Sequence, residues 1–165
     1  MHVGEPRIVR EFVRSEQQAQ QQVEQAGIVS VSVGIRHTAC VSAGGELYTF
    51  GHNMCGQLGH GDRKESSLPR LVHVTSSGDG GGGADGQQQR GAEPLRGVVA
   101  VSCGGYHTIA TTRTIRVAAA GGGRRAGEVK EAHWCWGYGE EGQLGLSEPP
   151  VHAVLQPRRL PELVQ

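Results

Sequence analysis

The chain has 165 residues, of which 27 are glycine, and only 4% are aromatic. Sixteen Lys and Arg residues balance sixteen Asp and Glu residues, so no net charge draws the whole chain to nucleic acid or to an acidic membrane. No apolar run approaches the roughly 18 residues that span a bilayer, and residues 1–12 lack the apolar centre of a secretory signal. The composition predicts a soluble intracellular protein, cytoplasmic or nuclear, with many short strands and no membrane partner.

The first part of the chain holds a strand and a linker. Residues 1–12 contain a Pro-Arg pair followed by an apolar run, and they are predicted to form the tail strand of a preceding repeat. Residues 13–27 follow as an inserted linker that is rich in glutamine. A short helix could form in this linker, because Ser15 can cap its start and Gly27 can end it.

Residues 28–74 hold the first repeat, which consists of four short extended runs. These runs are rich in β-branched and aromatic residues and are bounded by glycine, proline or polar turns, which is typical of strands. The predicted strands are Val29–Val33, Thr38–Ser42, Leu47–Phe50 and Arg70–Val74. Between the second and third strands, Ala43-Gly44-Gly45 predicts a hairpin turn.

Two low-complexity insertions follow, and a second repeat contains one of them. Residues 75–95 are rich in glycine and glutamine and predict a disordered insertion. Residues 96–165 form the second repeat, in which a Gly/Arg-rich insertion at 113–132 lengthens the hairpin between the second and third strands. Its predicted strands are Val98–Cys103, Thr108–Thr112, His133–Trp136 and Arg158–Leu163. Because strands alternate in direction, the insertions are expected to emerge at one end of the blades.

The two repeats carry the same motifs in the same order. The run VSVGIRHT, which begins at Val31, matches VSCGGYHT, which begins at Val101. The run YTFGHNMCGQLG, which begins at Tyr48, matches WCWGYGEEGQLG, which begins at Trp134. Two ordered copies indicate a repeat architecture. We predict a structural role in the repeat for the shared positions Gly34, His37, Thr38, Phe50, Gly51, Gly56, Gln57, Leu58, Gly59, Gly104, His107, Thr108, Trp136, Gly137, Gly142, Gln143, Leu144 and Gly145.

These motifs resemble the regulator of chromosome condensation repeat family. The resemblance implies an all-β fold: a partial β-propeller of about two four-stranded antiparallel blades with long low-complexity insertions. It implies a non-catalytic protein-interaction module, part of a larger propeller protein, with a protein partner that the sequence does not identify. Two alternatives stay open: guanine-nucleotide exchange on a Ran-type small GTPase, which the founding member performs, and chromatin docking. Because a blade buries its faces only against neighbours, further repeats or self-association should complete the fold.

The histidines at matched positions admit a catalytic or a structural interpretation. His37 and His107 recur once per repeat, whereas a catalytic or metal site is normally assembled once. The recurrence therefore favours a structural role, with each imidazole hydrogen-bonded to backbone near its turn.

Other motifs that could bind a cofactor are incomplete. The four cysteines form no C-x-x-C pair, which disfavours a zinc knuckle, although a zinc site that includes His52 and Cys55 stays an alternative. Residues 137–142 fit G-x-G-x-x-G, but Gln143 and Leu144 follow where a dinucleotide site needs a helix. We predict no enzymatic activity and no cofactor.

The second insertion also carries most of the local positive charge. A basic cluster could contact phosphate or an acidic partner. Since no aromatic residue among its members can stack on bases, a nucleic-acid partner is disfavoured. The cluster consists of Arg113, Arg116, Arg124, Arg125 and Lys130.

Overall fold

The computed structural model describes residues 27–75, 92–116, 128–146 and 152–161. Strands and turns make up these residues, and none of them forms a helix long and apolar enough to cross a membrane. The strands are β1 Ile28–Val33, β2 His37–Ser42, β3 Leu47–Gly51, β4 Ser66–Leu71, β5 His73–Thr75, β6 Ala92–Pro94, β7 Val98–Cys103, β8 His107–Arg116, β9 Glu128–Tyr138 and β10 Ala153–Arg159.

The strands form two four-stranded antiparallel sheets, in the orders β1-β2-β3-β4 and β10-β9-β8-β7. Each sheet keeps its strands in chain order, as the blades of a propeller do. A small sheet of β5 and β6 lies between them in sequence. The structure therefore confirms the predicted all-β fold with two four-stranded blades.

Both blades begin with the same tight hairpin. In the first blade, the Gly34 N–H donates to the His37 carbonyl at 2.8 Å, and in the second, the Gly104 N–H donates to the His107 carbonyl at 2.9 Å. A two-residue loop thus joins the first two strands of each blade. The hairpin fixes the register, and a shift of one residue would move every side chain to the opposite face of the sheet.

The hydrophobic core lies between the two blades. Ala39, Val41 and Leu47 of the first blade belong to one buried cluster with Val98 and Trp136 of the second. Each large side chain in such a cluster stabilises the fold by about 1.5–3 kcal/mol relative to an exposed position. The packing of one blade on the next is therefore the main source of apolar burial in the described residues.

The fourth strands lie earlier in the chain than predicted. The first blade ends in Ser66–Leu71, not Arg70–Val74, and the second in Ala153–Arg159, not Arg158–Leu163. The prediction started each strand directly after a proline, because a proline cannot donate to a ladder. Both strands are edge strands of their sheets, where a proline inside the strand is tolerated. A shift of register between Val154 and Arg158 accommodates it in the second blade.

The two predicted insertions are shorter than expected, because their flanks are strands. Residues 92–94 form β6, which pairs with β5, and Leu95 after them is buried in the core. In the second insertion, β8 continues to Arg116 and β9 begins at Glu128, so a ribbon of paired strands extends past the blade. Cross-strand contacts stabilise this ribbon.

Some sequence predictions fall outside the described residues. These are the tail strand at 1–12, the helix proposed within 13–26 and the centres of both insertions at 76–91 and 117–127, which include Arg124 and Arg125. The side chain of Arg116 also lies outside the described part of the chain.

Candidate functional site

The junction between the blades is built on the repeated histidine of the first blade. His37 is buried at the start of β2, and its Nε2 lies 2.9 Å from Oγ1 of Thr108 in the second blade. The Thr108 hydroxyl donates its hydrogen to the Gln57 carbonyl at 2.9 Å. The hydroxyl must then accept from His37, so the network assigns the hydrogen of the neutral ring to Nε2. The prediction that this imidazole bonds to backbone near its turn was wrong, because the partner is a side chain of the next blade.

The environment of His37 keeps its ring neutral. Burial, with smaller effects from His107 and His52, lowers the pKa of His37 from 6.5 to about 4. Its Nδ1 atom is buried and has no hydrogen-bond partner among the described residues. A proton on this nitrogen would be a buried charge without compensation.

Glycine at the start of the hairpin makes room for the ring. A methyl group on Gly34 would lie 2.3 Å from Cε1 of His37 and 2.5 Å from the Gly104 carbonyl oxygen. A methyl group on Gly104 would lie 2.0 Å from Cε1 of His107. The Gly-x-x-His spacing therefore reflects an imidazole that packs against the glycine, where a side chain would clash with it.

The Gly-Gln-Leu-Gly loop supplies the acceptor for the neighbouring blade. The Gln57 carbonyl accepts from the Trp136 indole N–H at 2.8 Å as well as from Thr108. Within the loop, Oε1 of Gln57 accepts from the Cys55 N–H at 3.0 Å, which fixes the turn. A methyl group on Gly59 would lie 2.8 Å from Nε1 of Trp136, so the indole packs directly on the loop.

We call the four residues that join the blades the blade latch: His37, Gln57, Thr108 and Trp136. Each was predicted from the repeat as a structural position, and the structure brings these four together. Ser32 was missed, although its Oγ accepts from the Cys103 N–H at 2.9 Å across the same junction. The paired Val-Ser runs at the start of each repeat were the signal that could have found it.

A surface of exposed side chains, with the half-buried His52 among them, surrounds the turns at one end of both blades. Ile35 and Arg36 form the first hairpin loop, and the Ile35 N–H donates to the Gly105 carbonyl of the second blade at 3.4 Å. The ring of His52 lies 6.4 Å from the ring of Tyr106, centroid to centroid. We call this the turn surface, and it consists of Ile35, Arg36, His52, Met54 and Tyr106.

One arginine of the predicted basic cluster forms an ion pair across the β8–β9 ribbon. Nη2 of Arg113 lies 2.7 Å from Oε1 of Glu131, its cross-strand partner. Lys130 is exposed on the neighbouring position of β9. Of this cluster, the structure describes the side chains of Arg113 and Lys130, and Arg113 is paired with an acidic side chain.

The structure offers no support for the zinc alternative within the described residues. No group of three or more His, Cys, Asp or Glu side chains is close enough there to hold a metal ion. His52 Nδ1 lies 3.1 Å from Nε2 of Gln57, and Cys55 holds the Gln57 side chain through its backbone N–H. Both residues shape the loop of the blade latch.

Comparison with known proteins agrees with this geometry. Two models of the regulator of chromosome condensation (RCC1) repeat match the chain, one at residues 44–111 and one at residues 28–57. Together they cover residues 28–111, which include the whole first blade and the start of the second. The chain belongs to the RCC1 repeat family. The match at residues 44–111 runs from the third strand of the first blade into the second strand of the second blade, so it spans the junction between the blades.

Several curated relatives contain similar repeats. The chain is 31% identical to the E3 ubiquitin-protein ligase HERC2 of Homo sapiens over 72% of its own length and 2% of the relative's. It is 31% identical to the ultraviolet-B receptor UVR8 of Arabidopsis thaliana, again over 72% of the chain, and 31% of the relative. It is 39% identical to the kinase Nek9 of Xenopus laevis over 73% of the chain and 9% of the relative. The chain thus spans a minor part of each of these relatives.

A solved structure shows the same fold. The RCC1-repeat chain resembles Prp20p of Saccharomyces cerevisiae, a protein studied for its binding to Gsp1p and histones, with a TM-score of 0.52 at 19% identity. The match covers 86% of this chain and 27% of Prp20p. The likeness establishes a β-propeller fold of the RCC1 type.

Proposed function

We propose that this chain is a non-catalytic protein-interaction module and that the turn surface is its contact area. The observation that carries the proposal is the exposure of large apolar side chains there: Ile35 is 66% exposed and Met54 is 58% exposed. Arg36 and Tyr106 lie beside them and are also exposed. Met, Tyr and Arg are the residue types enriched in protein interfaces.

Backbone hydrogen bonds hold the loops of the turn surface in place. The His52 N–H donates to the Arg36 carbonyl at 2.8 Å, and the Tyr138 N–H donates to the Tyr106 carbonyl at 2.8 Å. Each hairpin loop is thereby tied to the third strand of its own blade. A surface that is already ordered loses little conformational entropy when a partner binds.

A non-catalytic role is supported by what the repeated histidine does. His37 is buried against Thr108 in the blade latch. The Nε2–H of its neutral ring already donates a hydrogen bond to the Thr108 hydroxyl. A general base needs to reach a substrate proton. His37, whose pKa is lowered to about 4 by burial, thus serves to pack one blade on the next.

The turn surface is tested by substitution and affinity capture. We expect the variant with Ile35→Asp and Met54→Asp to lose proteins that the wild-type chain captures from cells, by at least about ten-fold. Ile115→Asp is the matched control, since Ile115 is also 66% exposed but lies on the β8–β9 ribbon. Equal capture by all three proteins, measured by quantitative mass spectrometry, would contradict the proposal.

The second candidate is guanine-nucleotide exchange, which the likeness to Prp20p, a protein studied with Gsp1p, favours. The test mixes the full chain with a Ran-type GTPase that carries fluorescent GDP. We expect no acceleration of GDP release above the spontaneous rate. An acceleration of about ten-fold or more, which corresponds to about 1.4 kcal/mol of barrier lowering, would favour exchange over a scaffold role.

A further inference from the structure

The loops of the first blade that surround the turn surface carry three exposed basic side chains. Arg36 lies in the first hairpin, and Arg63 and Lys64 lie in the loop between β3 and β4. Nη1 of Arg63 donates to the Met54 carbonyl, which places the guanidinium group beside the apolar part of the surface. We call Arg36, Arg63 and Lys64 the basic side of the turn surface.

The acidic side chains of the same loops do not cancel this charge. Oδ2 of Asp62 lies 3.7 Å from Nη1 of Arg70 on β4, so the charge of Asp62 is already paired. Glu65 is the acidic side chain that then remains in these loops. Arg36 and Lys64 form no ion pair with another described residue. The basic side therefore keeps a net positive charge.

The loops of the second blade at the same end have the opposite charge. Glu140 and Glu141 follow β9 and are both exposed. The described residues of these loops, at 104–106, 139–146 and 152, include no lysine and no arginine. We call Glu140 and Glu141 the acidic side of the turn surface.

Glu140 is held in place as a carboxylate. The Tyr138 hydroxyl donates to Oε2 of Glu140 at 3.0 Å, and Nδ1 of His152 donates to Oε1. The hydrogen bonds from His152 and Tyr138 lower the pKa of Glu140, so the carboxylate stays ionised at neutral pH. A charge that is already fixed in position loses little conformational entropy when a cation approaches it.

A series of contacts connects the basic side to the acidic side. The His52 N–H donates to the Arg36 carbonyl at 2.8 Å, and the His52 ring lies 6.4 Å from the Tyr106 ring, centroid to centroid. The Tyr138 N–H donates to the Tyr106 carbonyl at 2.8 Å, and the Tyr138 hydroxyl reaches Glu140. The rings of His52 and Tyr106 therefore lie between Arg36 and Glu140.

We propose that the turn surface binds a protein segment of divided charge. Acidic side chains of the partner face the basic side, a basic side chain of the partner faces the acidic side, and an apolar side chain between them contacts Ile35 and Met54. Complementary charges of this kind orient a partner and exclude others. The inference rests on the proposed function, since it describes the partner of that same surface.

The acidic side argues against a uniformly acidic partner. A nucleic acid that reached the basic side would bring further phosphate groups towards Glu140 and Glu141, and like charges at an interface repel. A segment with both charges satisfies both sides at once. Divided charge therefore fits the surface better than a polyanion does.

The first experiment selects phage-displayed random peptides on the full chain. Peptides of about 12 residues are long enough to cross both blades, at about 3.3 Å per residue for an extended chain. Wild type should enrich peptides that carry acidic residues and a basic residue on opposite sides of an apolar residue. Enriched peptides that are uniformly acidic would overturn the proposal in favour of a polyanion, and enrichment equal to that of a chain-free support would also overturn it.

The second experiment reverses each charge. Arg36→Glu together with Lys64→Glu should remove the acidic residues from the selected peptides, and Glu141→Lys should remove the basic residue. The controls make the same changes of charge on exposed side chains away from the turn surface, Lys130→Glu on β9 and Glu93→Lys on β6. Circular dichroism spectra that match wild type would show that the variants keep their fold.

Affinity gives the size of the effect. We expect the peptide most enriched by wild type to bind the double variant about five-fold more weakly or worse, measured by fluorescence anisotropy, because exposed ion pairs are individually weak. The two control variants should stay within about two-fold of wild type. Selected peptides and affinities that charge reversal leaves unchanged would overturn the proposal.

The variant with Ile35→Asp and Met54→Asp separates this inference from the proposed function. If it loses the peptides while charge reversal has no effect, the contact area stands and the divided charge is wrong. If it selects the same peptides as wild type, the contact area itself is wrong.

Discussion

At the scale of single residues, the contact between Gly34 and His37 determines which side chain the first hairpin tolerates. Gly34→Ala would place a methyl group 2.3 Å from Cε1 of His37, with the Gly104 carbonyl on its other side. We expect the free energy of unfolding to fall by about 1–3 kcal/mol, the usual cost of overpacking. Chemical denaturation with urea measures it.

Gly44→Ala is the matched control for this substitution. A methyl group on Gly44 would meet only Oγ of Ser42, at 3.6 Å, which is an ordinary contact. Its stability should change by less than about 0.5 kcal/mol, as at most surface positions. Equal losses in the two variants would show that the imidazole does not pack on Gly34 in solution.

His37 also makes stability depend on pH. Its pKa is about 4 in the fold, against 6.5 for the ordinary side chain, because burial disfavours the charged ring. The unfolded chain takes up a proton before the fold does. The contribution of His37 to the free energy of unfolding should therefore be complete above pH 6.5. It should be lost as the pH drops from 6.5 towards 4, by on the order of 3 kcal/mol.

Urea denaturation at pH 7 and pH 5 measures this dependence. The variant His37→Gln keeps a side-chain donor without a titrating group, so its loss of stability between the two pH values should be smaller. His60 contributes in the same direction, since burial lowers the pKa of His60 to about 4 as well. A wild-type protein that is equally stable at both pH values would contradict the assignment of a neutral buried His37.

At the scale of elements, the backbone N–H groups of the β8–β9 ribbon alternate between those that point to the partner strand and those that point to an outer edge. The Arg113 N–H donates to the Gly97 carbonyl. The backbone N–H groups of the odd-numbered residues of β8 therefore point away from β9. Thr114 and Lys130 face each other across the ribbon as a directly opposite pair. Ile115 and Glu131 turn their amides to the two outer edges.

Hydrogen exchange followed by NMR tests this arrangement. The amides of Thr114 and Lys130 should exchange slowly, whereas those of Ile115 and Glu131 should exchange at least about ten-fold faster, since edge amides bond to solvent. Protection of all four amides would indicate that a further strand covers the edges of the ribbon.

The sequence predicted some elements better than others for identifiable reasons. Strands β1, β2 and β3 were predicted to within one residue, because valine-rich runs end at glycine turns there. The fourth strands were misplaced, since each was predicted to begin just after a proline, Pro69 or Pro157, although edge strands tolerate a proline inside them. The ribbon was missed because its Arg, Thr, Lys and Glu residues have no hydrophobic alternation.

At the scale of the whole molecule, the repeat identified the positions of the blade latch but not their partners. His37 and Thr108 lie 71 residues apart, and matching motifs do not say which residues meet when blades stack. The structure supplies that relation through the packing of the first blade on the second. The same packing explains why each copy of the motif holds two kinds of residue. The histidine and the glutamine contact the next blade, and the threonine contacts the previous blade.

The β8–β9 ribbon has a practical consequence for labelling. The residues of the blade latch lie at the turn end of the strands, and Arg116 lies eight residues along β8 from Thr108, roughly 26 Å at the usual rise of a strand. Extra sequence between Arg116 and Glu128 lengthens a hairpin without changing the register of the pairs below it. A fluorescent domain inserted there would mark the protein in cells while the turn surface stays accessible.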